Sequence, residues 1–391
     1  MDTVRADRLE CYGYTKKTAP NVCGLAEEGA LFTRAFSQSS WTLPAHASIL
    51  SGRYPNEHGA VTSRSRMADE QPRLARILRR EGYVTGAIIS ARLLDPNFGL
   101  RRGFDTFDFS AVERGIHSSF AASVSDSAIS WLEENTSPFF LWLHYYDPHH
   151  AFLVHDGADD PRPEIADDAL EYPYWNERPA PDFDYYRAHE GVFAARYDGE
   201  LRFTDTHIGR VLDHLRDTGR VDDTIVYVTA DHGEAFATHE LTGHDNVLYD
   251  ELIHVPLIVR APGETAPRVV DTVQETRDIF QTTLELLGVQ SPWASGYNLL
   301  SDTRDYAFTE VESRNEHKRA AIVGERWKLV YTLDNTVELY DRSTDPSETE
   351  NIAEDNPALV RELLARLTDE MNIVILDEEA VDQLRALGYV N

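Results

Sequence analysis

The feature that most constrains the fold is an alternation of short apolar runs, strand-like in length, with longer runs of helical periodicity. Such an alternation is typical of a β-sheet covered by helices. The predicted strands are Tyr83–Ser90, Phe139–Tyr146, Thr224–Ala230 and Val255–Arg260. The predicted helices are Leu74–Arg80, Ala121–Glu134, Ala195–Asp217 and Asp278–Leu287. The sequence therefore predicts an α/β fold, in which ligands should collect where the parallel strands end.

The pattern changes after about Ser291, where short strand-like runs follow one another with turns at Gly324–Glu325 and Asp334–Asn335. The predicted antiparallel strands are Tyr306–Val311, Ala320–Gly324, Trp327–Thr332 and Val337–Asp341. A predicted helix, Pro357–Met371, and a polar tail follow. We therefore divide the chain into an α/β domain, residues 1–290, and a smaller C-terminal α+β subdomain, residues 291–391.

The charge of the chain excludes two classes of partner. The sequence has 37 Lys and Arg residues against 67 Asp and Glu residues, a formal net charge of −30. Such a surface repels nucleic acids and anionic membranes. The sequence shows no apolar run of ~18 residues and no secretory leader, and Cys11 and Cys23 are too few for a disulfide framework or a zinc site. We therefore expect a soluble, cytoplasmic protein.

The acidic excess also indicates the solvent in which the protein works. Only four of the cationic residues are Lys, and carboxylates and Arg stay hydrated or paired in concentrated salt, where Lys stems add apolar area. The acidic residues are dispersed along the sequence. This dispersion favours adaptation to high ionic strength over an acidic binding face for a cationic partner.

Two predicted strands end in clusters of imidazole and carboxylate side chains. Asp231 and His232 directly follow one of them, with His239 and His244 close behind. Buried His and Asp side chains need partners, so this density indicates a binding or catalytic site rather than core filling. The other strand runs into the heptapeptide His144–His150, with three imidazoles and one carboxylate. Acid–base or anion-binding chemistry is the functional interpretation there.

A third candidate is the hydroxyl of Thr42. Pro44 and Gly52 bracket a short predicted helix that places Thr42 at its N-cap. An N-cap threonine often does no more than accept a backbone hydrogen bond. Alternatively, it is a nucleophile at a helix N-terminus, where the N–H groups and the dipole favour an anion.

Taken together, these motifs resemble the sulfatase family of the alkaline phosphatase superfamily. The residues that carry the resemblance are, in chain order, Asp2–Asp7, Thr42–Pro44, Leu50–Pro55, Asp231–Glu234, His239, Gly243–His244, Tyr249–Pro256, Glu338–Asp341, Asp345, Pro346, Glu348 and Asn351. The resemblance covers essentially the whole chain. It implies a large mixed, mostly parallel sheet flanked by helices, with a smaller C-terminal α+β subdomain, and the hydrolysis of sulfate or phosphate esters.

The resemblance also implies a single metal site. The positions that match its ligands are Asp2, Thr42, Asp231 and His232. Oxygen ligands with one imidazole suit Ca²⁺, Mg²⁺ or Mn²⁺. The two-metal members of the superfamily carry a further Asp-x-x-x-His motif, which does not occur between Gly191 and Thr229. Because a metal-binding Asp needs a strand to hold it, we expect an apolar strand of about five to eight residues to be encoded upstream of Asp2.

The same resemblance implies catalytic positions. Thr42 falls on the nucleophile, His144 and His149 near positions that contact the substrate or protonate its leaving group, and His244 where sulfatases usually carry Lys. His239 falls at a neighbouring polar position. Three other residues near the motifs, Arg53, Asp250 and His254, are interpreted as structural.

The chain departs from formylglycine sulfatases in three places. Thr42 cannot yield the formylglycine aldehyde, and His46 stands where those enzymes carry Arg. A family Lys and His are missing at Gly86–Ser90, and Thr3 replaces a second Asp found in many members. We therefore expect no formylglycine and an unmodified hydroxyl as the nucleophile.

The sequence thus predicts a metal-dependent hydrolase of a small anionic ester. The plain hydroxyl of Thr42 favours a phosphodiester or phosphonate ester over a sulfate ester. Two alternatives stay open: a transferase that passes a phosphoryl headgroup to an acceptor other than water, and a catalytically silent metal- or anion-binding protein on the same fold.

Overall fold

The computed structural model describes residues 1–113, 120–149, 152, 187–244, 247–263, 266–312 and 318–371. Its strands are β1 Ala30–Phe36, β2 Val84–Ile88, β3 Thr106–Asp108, β4 Phe139–Leu143, β5 Val226–Thr229, β6 Ala235–Phe236, β7 Thr242–Gly243, β8 His254–Arg260, β9 Arg268–Val270, β10 Gln274–Glu275, β11 Tyr306–Glu312, β12 Lys318–Gly324, β13 Trp327–Thr332 and β14 Val337–Asp341. Its α-helices are α1 Pro20–Ala26, α2 Thr42–Ser51, α3 Pro55–His58, α4 Leu74–Arg80, α5 Ser110–Glu113, α6 Ala121–Glu134, α7 Glu190–Asp217, α8 Asp250–Ile253, α9 Asp278–Leu286 and α10 Pro357–Met371. The segment Asp156–Asp184, predicted from its composition to be a long surface loop, and the polar tail after Met371 lie outside the described residues.

Two sheets form the large α/β unit. The order of the first is β10–β1–β8–β5, with β9 also paired to β1, and the order of the second is β3–β2–β4. Most pairings are parallel, but β8 runs antiparallel to both β1 and β5. Since Val226 pairs with Arg260 and Thr229 with Leu257, the end of β8 lies at the edge opposite the end of β5. Ligands were expected where the predicted strands end, Val255–Arg260 included; for this strand the expectation is wrong, because its end lies at the edge opposite Asp231.

Residues 1–2 join the ends of β4 and β5. The amino group of Met1 donates to the carbonyl of Thr229 at 2.9 Å, and the N–H of Asp231 donates to the carbonyl of Met1 at 3.3 Å. This is the hydrogen-bond pattern of a parallel pairing. On the other side, the N–H of Asp2 donates to the carbonyl of Tyr145 at 2.8 Å. Asp2 is therefore fixed between the two strand ends, and the strand expected ahead of it stays a prediction.

The helices cover both faces of the sheets and bury a separate core on each. α1, α6 and α7 share an apolar core with Val228 and Ile258 of the first sheet. α2 buries Leu43, Ala47 and Leu50 in a second core. Full burial of a Leu side chain contributes about 1.5–3 kcal/mol, so these contacts fix the position of α2 and of its first residue, Thr42.

Thr42 begins this helix instead of capping it. The preceding residue, Trp41, has the extended φ and ψ of −156° and 164° and is the cap, and Thr42 is the first helical residue. The predicted N-cap position of Thr42 is therefore wrong by one residue, which leaves its side chain at the N-terminal end of α2.

The C-terminal subdomain is an antiparallel sheet in the order β11–β12–β13–β14. α10 packs on it through Leu363, Leu367 and Met371. The fully buried Lys328 of β13 reaches across to Asp250 of α8, with Nζ 2.9 Å from Oδ1, and also pairs with Glu348 at 2.7 Å. A buried ion pair thus attaches the subdomain to the α/β unit.

The two cysteines are joined in the structure. Cys11 and Cys23 form a disulfide across a sequence separation of 12 residues, with their Cα atoms 5.4 Å apart. It links the 3₁₀ turn Glu10–Tyr12 to α1. Two cysteines are too few for a disulfide framework, but they form this single bridge, which was not predicted from the sequence.

Candidate metal and catalytic site

Four segments of the chain converge at one end of the two sheets. Residues 1–2 supply Asp2, the start of α2 supplies Thr42, the segment after β4 supplies His144, and the loop after β5 supplies Asp231 and His232. All five side chains are buried. The structure thus brings together the four residues predicted as metal ligands and one predicted catalytic histidine.

Asp2, Asp231 and His232 form a compact group whose ligand-type atoms lie within 4.8 Å of one another. Nε2 of His232 is 3.7 Å from Oδ1 of Asp2 and 3.5 Å from Oδ2 of Asp231. Within the described part of the chain, neither oxygen of Asp2 nor Oδ2 of Asp231 accepts a hydrogen bond. Buried carboxylate oxygens without partners are energetically costly, so this group fits a bound cation.

The hydrogen bonding of His232 supports the same interpretation. Its Nδ1 lies 2.9 Å from the carbonyl oxygen of Gly233. Because a carbonyl oxygen only accepts, Nδ1 carries the proton, and in the neutral ring Nε2 then presents a lone pair to Asp2 and Asp231. A divalent cation between these three electron-rich atoms would stabilise them. Two carboxylates with one imidazole suit Ca²⁺, Mg²⁺ or Mn²⁺.

The carboxyl groups differ in their pKa. Burial raises the pKa of Asp2, and the negative charge of Asp231 raises it further. Burial also opposes ionisation of Asp231, but the adjacent imidazoles of His232 and His46 outweigh it and hold the pKa of Asp231 well below its usual range. Among the described residues, no Arg or Lys forms an ion pair with either carboxylate. A bound cation would supply the positive charge that fixed side chains do not provide.

Thr42 contacts this group directly. Its Oγ1 lies 3.4 Å from Nε2 of His232, and the side chain is 2% exposed. The first turn of α2 adds the positive end of a helix dipole. A hydroxyl at this place can therefore reach both a cation held by the carboxylates and an anion at the helix N-terminus.

Two more imidazoles face the same carboxylates. Nε2 of His144 is 3.4 Å from Oδ2 of Asp2, and Nε2 of His46 is 3.3 Å from Oδ2 of Asp231. Burial lowers the pKa of His144 to about 3 and the pKa of His46 to about 4, and the attraction of Asp231 only partly offsets it. Both rings are therefore neutral near pH 7.

His46 lies in the candidate site but is not among the site residues predicted from the sequence. It was considered only as the replacement of an Arg, although a signal was present in its spacing. His46 follows Thr42 by four residues on the same helix, and residues at this spacing lie on one helix face.

His149 and His244 form a pair beside the cluster. Their Nε2 atoms are 2.9 Å apart, so one ring donates a proton to the other. The ring of His149 stacks on Tyr146 with centroids 4.5 Å apart, and the ring of His244 lies 4.3 Å from that of His232. These two predicted catalytic residues thus lie next to the candidate metal group.

His239 has different neighbours. Its Nδ1 is 3.1 Å from Oε1 of Glu251, its Nε2 is 3.0 Å from the carbonyl oxygen of Glu348, and its ring stacks on Tyr249. Both ring nitrogens therefore contact groups at the boundary between the α/β unit and the C-terminal subdomain. The structure therefore gives His239 a structural environment and does not bring it to the cluster.

The three residues interpreted as structural also make contacts away from the cluster. Nη1 of Arg53 donates a hydrogen bond to Oγ of Ser295 at 3.2 Å. Asp250 pairs with Lys328 and with Arg342. His254 contacts the carbonyl oxygen of Thr33 at 2.8 Å.

Comparison with known proteins gives consistent matches. Residues 1–289 match the family described as Sulfatase, and residues 244–375 match the one described as N-sulphoglucosamine sulphohydrolase, C-terminal. The chain is 25% identical to the uncharacterized sulfatase YidJ of Escherichia coli (strain K12), over 90% of this chain and 82% of that protein. It is 24% identical to the choline-sulfatase of Rhizobium meliloti (strain 1021), over 93% of this chain and 83% of that protein. The crystal structure of the phosphonate monoester hydrolase of Agrobacterium radiobacter is similar in fold, with a TM-score of 0.75, 24% identity and coverage of 94% of this chain and 93% of that one.

In the part of the chain that the structure describes, no helix is both long enough and apolar enough to cross a membrane.

Proposed function

Because the chain belongs to the Sulfatase family and is an ester hydrolase, we propose that it hydrolyses a small anionic sulfate or phosphate ester with the help of one divalent metal ion. The observation that carries the proposal is the hydroxyl of Thr42, 3.4 Å from Nε2 of His232 and beside two buried carboxylates. Nucleophile and candidate metal ligands thus share one site.

Asp2, Asp231, His232 and the hydroxyl of Thr42 would hold the metal ion. The unpartnered buried oxygens of Asp2 and Asp231 and the lone pair on His232 support this fit. When bound, such an ion lowers the pKa of a ligating hydroxyl and offsets the charge that develops on the ester oxygens.

Thr42 is the proposed nucleophile. A bond forms from its Oγ1 to the sulfur or phosphorus atom while the bond from that atom to the alcohol oxygen breaks. The alcohol gains a proton as Thr42 loses one. Water then attacks the same central atom, releases the acid and restores the Thr42 hydroxyl. Thr cannot be converted to formylglycine, so the cycle needs no modified residue.

The pair of His149 and His244 is the proposed proton donor to the leaving alcohol. The two Nε2 atoms lie 2.9 Å apart, so one of the rings carries a proton at this place, and a positioned imidazole is the side chain that most often transfers a proton to a leaving group. A substrate contact of His144, whose Nε2 lies 3.4 Å from Oδ2 of Asp2, stays a prediction. We assign no catalytic role to His239, because its two ring nitrogens contact Glu251 and Glu348.

A phosphodiester or phosphonate ester is the favoured substrate. A formylglycine hydrate expels sulfate by collapsing to the aldehyde, whereas an ester of Thr42 must be attacked by water at the central atom, and phosphorus chemistry accommodates this step. Relatives named for both chemistries support keeping both classes in the test, since one is a choline-sulfatase and one structural neighbour is a phosphonate monoester hydrolase.

The test is a paired screen of aryl sulfate, aryl phosphate, phosphodiester and phosphonate esters with Ca²⁺, Mg²⁺ and Mn²⁺. Intact-mass spectrometry after a substrate quench should trap an adduct on Thr42. Turnover should be lost in Thr42→Ala and partly retained in Thr42→Ser, while Thr206→Ala, an exposed position on α7, should behave as wild type. Faster sulfate release that still depends on Thr42 would overturn the phosphorus preference, and the absence of metal-dependent turnover would overturn the hydrolase.

A further inference from the structure

Beside the proposed metal site, the structure holds a second group of ligand-type atoms. One ring nitrogen of His46, one ring nitrogen of His144 and a carboxylate oxygen of Asp231 lie within 4.8 Å of one another, and all three side chains are buried. Asp231 belongs to both groups. Neither His46 nor His144 is needed to hold the first ion, and the single-metal prediction gave them no ligand role.

These atoms face one another without hydrogen bonds. Nε2 of His46 lies 3.3 Å from Oδ2 of Asp231, and Nε2 of His144 lies 3.4 Å from Oδ2 of Asp2. Within the described residues, all four atoms are buried and have no hydrogen-bond partner. A buried imidazole nitrogen and a buried carboxylate oxygen this close, yet not bonded, leave two desolvated polar groups unsatisfied.

The proton of His144 is held on the opposite side of the ring. The hydroxyl of Ser90 donates to the carbonyl oxygen of His144 at 2.5 Å, so the remaining capacity of that hydroxyl is to accept. Nδ1 of His144 lies 3.3 Å from the hydroxyl oxygen of Ser90 and donates a hydrogen bond to it. The lone pair of His144 is therefore at Nε2 and points at Oδ2 of Asp2. Two lone pairs directed at one another repel each other, and a cation between them would remove this repulsion.

The separations match those of ligands around one ion. Two ligands at about 2.0–2.1 Å from a tetrahedral ion lie about 3.3 Å from each other. The distances from His46 to Asp231 and from His144 to Asp2, 3.3 and 3.4 Å, have this value.

We propose that His46, His144 and Asp231 form a second divalent-cation site, which shares Asp231 with the first site and has Oδ2 of Asp2 at its edge. Two imidazoles and a carboxylate favour Zn²⁺ or Mn²⁺ over Ca²⁺. With one divalent ion the charges of Asp2 and Asp231 are just balanced, and a second ion makes the site positive toward an anionic ester. Formylglycine sulfatases carry a positively charged Arg at the position of His46. In this chain the second ion would supply that positive charge.

The inference rests on the proposed first metal site, and a stoichiometry measurement distinguishes the two. The full chain is stripped with a chelator, loaded with Mn²⁺ or Zn²⁺, desalted and analysed by elemental mass spectrometry, with calorimetric titration in parallel. We expect two ions per chain in the wild type and one in His46→Gln and in His144→Gln. His214→Gln, a half-exposed histidine of α7, should keep both ions and controls for adventitious binding to surface imidazoles.

A second readout needs no variant. Two Mn²⁺ ions that share Asp231 should couple magnetically, so the electron paramagnetic resonance spectrum of the loaded wild type should differ from that of isolated Mn²⁺, and His144→Gln should restore the isolated pattern. One ion per chain with an uncoupled spectrum would overturn the second site and leave the proposed function intact. Two ions that persist in both His46→Gln and His144→Gln would place the second ion elsewhere and overturn the inference. No bound ion would overturn both proposals.

Discussion

At the scale of single residues, the two oxygens of Asp231 have different tasks. Oδ1 accepts the backbone N–H groups of Thr3 and His232 at 3.2 and 2.9 Å. Oδ2 accepts no hydrogen bond among the described residues and faces the Nε2 atoms of His46 and His232. One oxygen therefore organises the backbone of the site, and the other is left for a ligand.

Asp231→Asn should separate these tasks. The amide oxygen can replace Oδ1 as the acceptor, whereas the charge at Oδ2 is lost. We expect a wild-type circular dichroism spectrum, metal binding weaker by at least ~100-fold and ester hydrolysis at background. Asp213→Asn, on the exposed face of α7, is the matched control. Unchanged metal content in Asp231→Asn would show that the ion binds elsewhere.

Sequence reasoning found the part of the site that lies in short motifs. Asp231 and His232 are adjacent, and Thr42 stands next to recognisable neighbours, so residue type and order were sufficient. The role of His46 depends on its distance from Asp231, which lies 185 positions away in the sequence. Likewise, the lone pair of His144 is directed by Ser90 on a neighbouring segment. Such contacts arise from the packing of sheet ends and cannot be seen in a linear pattern.

At the scale of elements, the turn that follows β6 is strained. Ala237, His239 and Glu240 have positive φ angles of 73°, 53° and 57°, a region that costs a non-glycine residue about 1–3 kcal/mol. His239 offsets this cost through its contacts with Glu251 and Glu348 and its stacking on Tyr249. The turn connects the segment of Asp231 to His244, so His239 supports the site from a distance.

The contribution of His239 to the stability of this turn should depend on pH. Burial alone would lower the pKa of His239, but the hydrogen bond to Glu251 and the charges of Glu251 and Glu348 raise it above the ordinary value. A raised histidine pKa gives stability that is fully present below the unfolded-state pKa of about 6.5 and is lost as the pH rises through the folded-state value. We expect His239→Gln to lower the free energy of unfolding by about 1–2 kcal/mol near pH 6 and by less near pH 9.

Urea denaturation of both proteins at the two pH values measures the difference. Glu251 also pairs with Arg5, and Glu348 with Lys328. Burial raises the pKa of Glu348 to about 7, so this carboxyl group changes charge between the two pH values in both proteins. His214→Gln serves as the control for removal of an imidazole. A deficit in His239→Gln that is equal at both pH values would contradict the charge-assisted contact.

The disulfide should contribute to the free energy of unfolding. Closing a loop of this length between the 3₁₀ turn Glu10–Tyr12 and α1 stabilises a protein by about 3 kcal/mol. The double variant Cys11→Ser and Cys23→Ser should lose this amount in chemical denaturation, and the unreduced, unfolded wild type should show no free thiol. Detection of two thiols per chain would show that the bridge does not form.

The periodicity of apolar residues predicted where helices and strands lie in the sequence, but it did not predict the direction of the strands within the sheet. The helices Leu74–Arg80, Ala121–Glu134 and Pro357–Met371 and the strands Trp327–Thr332 and Val337–Asp341 have the predicted bounds. The strand β8 was also found, but its antiparallel direction was not. Alternation of apolar residues is the same in either direction, so only pairing with β1 and β5 decides which end carries ligands.

At the scale of the whole molecule, the alkaline phosphatase-like fold predicted from the motifs is confirmed by the family match and the structural neighbours. The described charged side chains in its interior are largely paired. Lys328 contacts Asp250 and Glu348, and Glu275 contacts Arg277 at 2.6 Å. Pairing inside the fold leaves most of the acidic excess at the surface, where the net charge of −30 acts as self-repulsion.

The acidic surface should make the stability of the fold depend on the salt concentration. Raising KCl to ~1 M shortens the Debye length from about 10 Å at 0.1 M to about 3 Å, which screens repulsion between neighbouring carboxylates. A gain of about 2 kcal/mol would raise the melting temperature by on the order of 2 °C at this chain length, because the entropy of unfolding grows with the number of residues. Lowering the pH toward about 5 protonates part of the carboxylates and should shrink the salt effect. Sucrose, which stabilises by exclusion without screening, should not show this pH dependence. A melting temperature that stays flat or falls in molar KCl would contradict adaptation to high ionic strength.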